Sequence, residues 1–289
     1  MRDERVVLVT GGTSGIGRAA VRQLAPRVGR VIVVGRDSQR AEQVVAEARA
    51  AGAEATAVLA DLGRLAEVRR LAADVLANEP RLDVLVNDAG VFCARRELTE
   101  DGLERTFAVN HVAPHLLTNL LLDRLRAAPA ARVVTTASDA HRGGSLHLDD
   151  LQLAQAPWRL GFTAYARSKL ANVLFTRELA RRLAGTSVTA TCFHPGWVAS
   201  GLGQANGPLW RATLVLSRPF QRTPEVAADT LVWLATSPDV AGQSGGYYAD
   251  RVRVEPAPAA SSDVDARALW DATVAITGVD ATREAAPVR

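Results

Sequence analysis

Short apolar runs alternate along the chain with longer stretches in which Ala, Leu and Arg recur at helical spacing. Apolar runs bounded by glycine, proline or polar residues are typical of buried strands, and the longer periodic stretches predict amphipathic helices. Predicted strands cover residues 6–10, 31–34, 55–60, 82–87, 132–138, 187–195 and 245–249. Predicted helices begin near residue 16 and cover residues 38–51, 64–78, about 100–127, 163–184 and 224–236.

Strands that are apolar throughout and separated by helices predict a parallel sheet covered on both faces, because right-handed crossovers place helices on either side. The expected fold class is α/β, a Rossmann-type doubly wound parallel sheet of about seven strands. We interpret residues 1–289 as one domain. Composition breaks at residues 201–224 and 255–263 predict two additions to it, a lid insertion at 201–224 and a C-terminal extension at 255–289.

Charge and cysteine usage narrow the function classes. The 289 residues include 34 Lys plus Arg and 31 Asp plus Glu, a net charge of +3, and no basic block marks a nucleic-acid site. Cys93, Cys192 and the five histidines show no metal-ligand spacing, so we expect no metal site and a reduced, cytoplasmic location. The charged start and the lack of an apolar run near ~18 residues predict neither a secretory signal nor a transmembrane segment.

The segment TGGTSGIG at residues 10–17 follows the first predicted strand and opens a helix. In that context glycines let a turn pass close to a pyrophosphate, with helix N–H groups facing it. A tight turn without a ligand remains the alternative. The candidate phosphate-binding residues are Gly11, Thr13, Ser14, Gly15, Ile16 and Gly17.

The segment YARSK at residues 165–169 contains the only lysine of the chain. Residues four apart on a helix share a face, so Tyr165 and Lys169 can reach the same cleft. A phenol titrates near pH 10 and exchanges protons poorly at neutral pH unless its anion is stabilised, and we expect the ammonium to lower its pKa. Lysine also offers compact donors for ribose hydroxyls, which a planar guanidinium would reach differently. A surface pair on a helix is the alternative.

Seven elements in order over most of the chain resemble the short-chain dehydrogenase/reductase family, in the retinol-dehydrogenase-like branch. They are the turn TGxxxGxG, Asp61-Leu62, NDAG at 87–90, Asn110, Ser138, YxxxK at 165–169 and HPGWV at 194–198. The resemblance implies an oxidoreductase in which hydride passes between a nicotinamide and a carbonyl or alcohol carbon.

The same resemblance implies roles for single residues. Ser138 is expected to hold the substrate oxygen, Tyr165 to exchange its proton, Lys169 to hold the ribose, and Asn110 to maintain a water-linked proton path. Asp61 and Leu62 would frame the adenine, and the loop after the sixth strand would contact the nicotinamide amide. The other expected cofactor contacts are Asn87, Ala89, Gly90, Pro195, Gly196, Val198 and Ser200. Asp88 replaces the second asparagine of the usual NNAG.

Cofactor preference depends on the end of the second strand. Gly35 stands where NAD-preferring relatives usually carry Asp, and Arg36 can pair with the 2′-phosphate of NADP. We therefore expect NADP(H) to be preferred, with NAD(H) possible because Asp37 could turn inward.

The substrate is expected to be a lipophilic or ring-bearing small molecule. Apolar residues recur at helical spacing in the lid insertion, and Trp158 and Phe162 precede the catalytic helix. Those lid residues are Leu209, Trp210, Thr213, Leu216 and Phe220. Alternatively, these apolar residues fill a core or the interface between subunits of an expected homo-oligomer. Two other functions stay open: a non-catalytic dinucleotide sensor or scaffold, and an epimerase or dehydratase.

Overall fold

The computed structural model describes residues 3–155, 157–199, 201–203, 206–207, 215, 217 and 221–282. Its centre is an eight-stranded sheet with the order β3-β2-β1-β4-β5-β6-β7-β8. The strands are β1 (Asp3–Thr10), β2 (Val28–Gly35), β3 (Glu54–Leu59), β4 (Val84–Asn87), β5 (Ala131–Thr136), β6 (Val188–Phe193), β7 (Tyr247–Ala249) and β8 (Val252–Arg253). Every pairing is parallel except β7 with β8, so the predicted α/β doubly wound class is confirmed.

The eighth strand was not predicted, because it is only two residues long and its apolar pattern is too short to recognise. It forms an antiparallel hairpin with β7 through Asp250 and Arg251. Both turn residues have positive φ, at 49° and 61°, as tight hairpin turns require. The hairpin makes β8 the edge strand at this end of the sheet.

Helices cover both faces of the sheet. They are α1 (Gly15–Leu24), α2 (Ser38–Ala50), α3 (Leu65–Asn78), α4 (Arg105–Phe107), α5 (Ala113–Leu120), α6 (Leu122–Arg126), α7 (Phe162–Arg182), α8 (Pro224–Thr236) and α9 (Asp263–Thr277). Alternate residues of β1 pack into the two different cores, Leu8 with one set of helices and Val7 and Val9 with the other. This burial on both faces explains why the strands are apolar throughout.

The continuous helix predicted over about 100–127 is wrong, because the structure divides it into α4, a π-helical turn (Ala108–Val112), α5 and α6. The helix begins at Arg105 because the Glu104 carboxylate accepts hydrogen bonds from Thr106 N and Phe107 N, at 2.7 Å each. Pro114 has no N–H to donate to the carbonyl four residues back, which favours a change of helical register in the turn before it.

The C-terminal extension holds helix α9, which the sequence pattern had not predicted. Ser262 caps it by accepting from Asp265 N at 3.1 Å, and Gly278 ends it at a φ of 71°. Its Trp270 is buried, stacks on Phe175 of α7 at a centroid distance of 5.9 Å, and so covers that side of α7. Among the described residues, no helix has the length and apolar character that crossing a bilayer requires.

Candidate functional site

The glycine turn between β1 and α1 lies at the carboxyl end of the sheet. Gly11 and Gly15 have φ of 69° and 51°, which glycine adopts without strain. A Cβ on Gly17 would collide with the Gly11 carbonyl oxygen, so the turn closes only with glycine there. Ser14 is the N-cap of α1 and makes no side-chain capping bond. The first N–H groups of α1, including that of Ile16, therefore form a suitable place for a diphosphate.

The carboxyl end of β2 carries the three residues predicted to choose the cofactor. A Cβ on Gly35 would lie 2.7 Å from Thr13 Oγ1, so the Thr13 side chain fills the space that an acidic residue would need. Asp37 does not turn inward, because its carboxylate accepts from Arg40 N at 3.0 Å and pairs with the Arg40 guanidinium at 3.3 Å. Arg36 is exposed and has no polar partner within the described ranges.

Asp61 and Leu62 follow β3 on the same edge of the sheet. The Asp61 Oδ1 accepts from Gly63 N at 3.0 Å, which fixes the carboxylate at the mouth of the cleft. Leu62 is buried in the core. This placement is compatible with their predicted contact with adenine, which remains a prediction.

The NDAG loop after β4 lies beside the glycine turn. The Thr10 hydroxyl accepts from Asp88 N at 3.1 Å and from Ala89 N at 3.2 Å, and a Cβ on Gly11 would lie 2.8 Å from the Ala89 Cα. Asn87 donates from Nδ2 to Thr118 Oγ1 at 3.2 Å. The loop therefore has a fixed backbone.

Tyr165, Lys169 and Ser138 come together where β5 ends and α7 begins. The Lys169 Nζ lies 5.6 Å from the centroid of the Tyr165 ring and donates to the Thr136 carbonyl at 2.8 Å. A Cβ on Gly90 would lie 3.9 Å from that Nζ. The Ser138 hydroxyl lies close enough to the Tyr165 phenol to lower the pKa of the phenol. The structure thus brings the predicted phenol, amine and serine hydroxyl to one place, next to the NDAG loop.

Burial dominates the acid–base properties of this group. Loss of hydration raises the pKa of Tyr165 to about 12, although the residue as a whole is only half-buried, and lowers the pKa of Lys169 to about 8. The nearby Ser138 hydroxyl works against the rise in the pKa of Tyr165. The predicted lowering of the phenol's pKa below its ordinary value is therefore wrong for this structure. A phenol with a raised pKa is protonated at neutral pH and can donate a proton.

Asn110 lies in the π-helical turn and joins the NDAG loop to α7. Its Oδ1 accepts from Val91 N at 2.8 Å, and its Nδ2 donates to Val91 O and to Ser168 Oγ, both at 3.0 Å. Ser168 in turn donates to the Tyr165 carbonyl at 2.8 Å. Asn110 thus holds the backbone on either side of the catalytic candidates, while the water-linked path stays a prediction.

The loop after β6 carries Pro195, Gly196 and Val198. Gly196 has a φ of 81° and donates from N to His194 Nδ1 at 3.2 Å, and Val198 forms a bridge with Arg222. Ser200 lies outside the described residues, as do the five apolar lid residues named above. The loop borders the same end of the sheet, and its nicotinamide contacts stay a prediction.

Sequence reasoning missed two residues that support the site. The Thr136 hydroxyl donates to Asp88 Oδ1 at 2.6 Å, while its carbonyl accepts from Lys169. His141 Nε2 accepts from Ala257 N at 2.9 Å, so its Nδ1 carries the proton and donates to the Ser138 carbonyl at 2.7 Å. His141 thus ties the turn of Ser138 to the C-terminal extension. The only signal in the sequence for these supporting roles is that Thr136 and His141 lie within three residues of Ser138.

Aromatic residues line the approach to Tyr165. The Phe92 ring centroid lies 5.5 Å from that of Tyr165 and 5.1 Å from that of Phe162, which is exposed. Trp158 donates from Nε1 to Ala94 O at 2.7 Å, and Asn206 Oδ1 accepts from Ala94 N at 2.8 Å. Two segments therefore hold the Phe92 loop in place beside the phenol.

The residues present fit a nicotinamide dinucleotide. The glycine turn leaves backbone N–H groups free at the start of α1, where a diphosphate can accept hydrogen bonds. The turn is compact, because the backbone occupies the positions that a Cβ on Gly11 or Gly17 would take. No group of His, Cys, Asp and Glu residues suited to a metal ion occurs in the described part of the chain.

Comparison with known proteins agrees with this arrangement. The family model described as short chain dehydrogenase matches residues 5–149. The chain is 42% identical to retinol dehydrogenase 14 of Mus musculus, over 95% of this chain and 86% of that protein. It is 40% identical to "Putative daunorubicin C-13 ketoreductase DnrU" of Streptomyces sp. (strain C5), over 95% of this chain and 93% of that protein.

A solved structure from Beutenbergia cavernae, described as a "putative NAD(P) dependent gluconate 5-dehydrogenase" "with bound NADP (low occupancy)", superimposes with a TM-score of 0.68. It is 29% identical and covers 85% of this chain and 94% of its own. With the fold, the matched family model and these relatives together, the chain belongs to the short-chain dehydrogenase/reductase family and is a retinol-dehydrogenase-like oxidoreductase.

Proposed function

We propose that the protein is an NADP(H)-dependent oxidoreductase that interconverts carbonyl and alcohol groups on lipophilic or ring-bearing small molecules. The observation that carries the proposal is the meeting of Tyr165, Lys169 and Ser138 beside the glycine turn. A bound nicotinamide would supply or accept the hydride. Side chains of the protein would stabilise the carbonyl oxygen, donate the proton and hold the cofactor ribose.

The Ser138 and Tyr165 hydroxyls together suit a carbonyl oxygen. In reduction, the oxygen gains negative charge as hydride arrives, and the two hydroxyls stabilise it by hydrogen bonding. Tyr165 then gives its proton to that oxygen, a role for which a protonated phenol is suited at neutral pH. Lys169 uses one N–H on the Thr136 carbonyl and keeps two for ribose hydroxyls.

The proposed preference for NADP(H) rests on three observations at the end of β2. Thr13 occupies the space beside Gly35, Asp37 is committed to capping α2, and Arg36 is exposed beside them. A free guanidinium at this edge can form charge-assisted bonds with a 2′-phosphate. NADP bound to the Beutenbergia cavernae structure is a further support.

The variant Arg36→Ala tests this preference. We expect its Kd for NADPH to rise by roughly 10-fold to 100-fold, because a charge-assisted phosphate contact is lost, and its Kd for NADH to change by less than about twofold. Fluorescence titration with both dinucleotides measures this. Arg40→Ala is the matched control, since Arg40 is exposed on the adjacent turn but pairs with Asp37. Equal losses for NADPH and NADH in Arg36→Ala would contradict the proposal.

The proposed substrate class rests on the aromatic surface formed by Phe92 and Phe162 next to Tyr165. Planar or polyene groups pack well on such a surface. The two curated relatives are named for retinol and for a daunorubicin C-13 ketoreductase, which agrees with this class. NADPH oxidation against aliphatic, aromatic, steroid and retinal-type carbonyls tests it. Faster turnover of short aliphatic carbonyls than of every ring-bearing one would contradict it.

Three further features belong to the proposal. Residues 201–224 act as a lid on the substrate, residues 1–289 form one catalytic domain, and the protein works as a cytoplasmic homo-oligomer. The supports are the apolar spacing of the lid sequence, the single sheet, and two cysteines that are both free.

A further inference from the structure

Asp88 carries a partly buried carboxyl group that the reaction proposed above does not use. It stands where the family's usual motif has an asparagine, so it adds a negative charge without changing the side chain's shape. Its backbone is fixed by Thr10, and its Oδ1 accepts from the Thr136 hydroxyl at 2.6 Å. The carboxyl group is therefore held in one position by strands β1 and β5.

Asp88 lies between the start of α1 and the catalytic lysine. On one side, a Cβ on Gly17 would lie 2.9 Å from Asp88 Oδ2, and the Gly17 N–H is close enough to lower the pKa of the carboxyl group. On the other side, the same Thr136 that donates to Asp88 accepts from Lys169 at 2.8 Å. One carboxylate thus touches the helix start suited to a diphosphate and, through one residue, the ammonium.

The charged groups that face Asp88 are on α7. The Lys169 ammonium lowers its pKa, and burial raises it to about 6, so burial has the larger effect. Asp88 in turn raises the pKa of both Tyr165 and Lys169. Around neutral pH the group is mostly ionised, at the place where a second anion, the diphosphate, would bind.

We propose that Asp88 is a positioning residue that acts through Lys169, and that its ionised carboxylate opposes both dinucleotide binding at the start of α1 and ionisation of Tyr165. Binding of the dinucleotide is then accompanied by proton uptake at Asp88. This inference rests on the proposed dinucleotide-dependent function. It makes the affinity of the protein for its cofactor depend on pH within the physiological range.

The variant Asp88→Asn tests the proposal, because the amide is isosteric. It can be turned so that its oxygen faces the Gly17 N–H while its nitrogen donates to the Thr136 hydroxyl. At pH 8 we expect the variant to bind NADPH and NADH roughly 3-fold to 10-fold more tightly than the wild type, because a like charge is removed. At pH 5 the two proteins should bind equally. A difference in affinity that does not change with pH would overturn the proposal.

The pH profile of alcohol oxidation gives a second readout. Removing the negative charge lowers the pKa of Tyr165, so the rising limb of kcat should move down by about one pH unit in Asp88→Asn. An equal loss of kcat at every pH would indicate a structural role and would also overturn the proposal. Asp83→Asn is the matched control, since Asp83 is a buried carboxylate just before the other end of β4, held by Val6 N at 2.8 Å. It should leave the pH dependence of binding unchanged.

Thermal unfolding of the dinucleotide-free protein gives a third readout, which does not need activity. The folded-state pKa of Asp88 lies above the ordinary value of 3.8, so the folded state holds this proton more tightly and loses stability as pH rises from about 4 through about 6. The Tm of Asp88→Asn minus that of the wild type should therefore grow across this window, by roughly 3 to 8 °C. A constant difference would contradict the proposal. If neither protein binds a dinucleotide while the Tm difference grows, the proposed function fails and the charge of Asp88 is still established.

Discussion

Replacing Tyr165 by Phe should reduce turnover by roughly two to four orders of magnitude, the range associated with loss of a positioned acid or base. The change removes one hydroxyl and keeps the ring, so the contact of the ring with Phe92 at 5.5 Å persists and the fold should be intact. NADPH binding should change by less than about threefold, because Lys169, the glycine turn and Arg36 are untouched. Steady-state rates with a ring-bearing ketone and NADPH titration measure the two effects.

The hydroxyl of Ser138 provides a comparison for this result. Ser138→Ala removes the hydroxyl next to the phenol but leaves the phenol as the proton donor. We therefore expect turnover to fall less in Ser138→Ala than in Tyr165→Phe, by about tenfold or more. Thr163→Ala controls for disturbance of the start of α7, because Thr163 is half-buried and lies on the same turn of that helix as Tyr165. Turnover by Tyr165→Phe at the wild-type rate would end the proposed mechanism.

The second large effect concerns the solitary lysine. Lys169→Arg keeps the positive charge, yet we expect kcat/KM to fall by roughly 100-fold to 1,000-fold. The amine is buried, its Nζ donates to the Thr136 carbonyl at 2.8 Å, and the Gly90 backbone passes close by. A longer, planar guanidinium must displace one of these neighbours and cannot place its donors where the ammonium has them.

The measurement is again kcat/KM, together with NADPH affinity, which should weaken because the ribose contacts are lost. Arg177→Lys makes the reverse exchange on the same helix, where the arginine is partly exposed and pairs with Asp263 at 2.5 Å. It should change kcat/KM by less than about twofold, since surface ion pairs contribute little. Near-normal activity of Lys169→Arg would show that charge alone, without the shape of the ammonium, is sufficient.

The sheet and the candidate residues could be predicted from the sequence because each depends on local pattern. The apolar strands reflect burial on both faces, and the spacing of Tyr165 and Lys169 fixes their common helix face. The glycine turn follows its strand directly, and Gly11 and Gly15 have the positive φ that only glycine adopts freely.

The rest depends on residues distant in the chain. The role of Asn110 depends on its bonds to Val91, and the role of His141 depends on Ala257, 116 residues away. Helix α9 was missed because the Pro/Ala-rich segment before it looks irregular. Ser262 is nevertheless an ordinary residue at the start of a helix, and Gly278 is an ordinary residue at its end. The pKa of Tyr165 could not be predicted, since burial is set by the whole fold and outweighs the lowering effect of the Ser138 hydroxyl.

The contact between Thr13 and Gly35 constrains how this cofactor site can be re-engineered. Installing an aspartate at position 35 alone would force its Cβ against the threonine side chain, so the single exchange would damage the turn before it could recognise a ribose hydroxyl. Thr13 would have to be shortened as well, although it is itself a candidate phosphate-binding residue. The two positions are therefore sterically coupled, and an acidic residue at position 35 requires a smaller side chain at position 13.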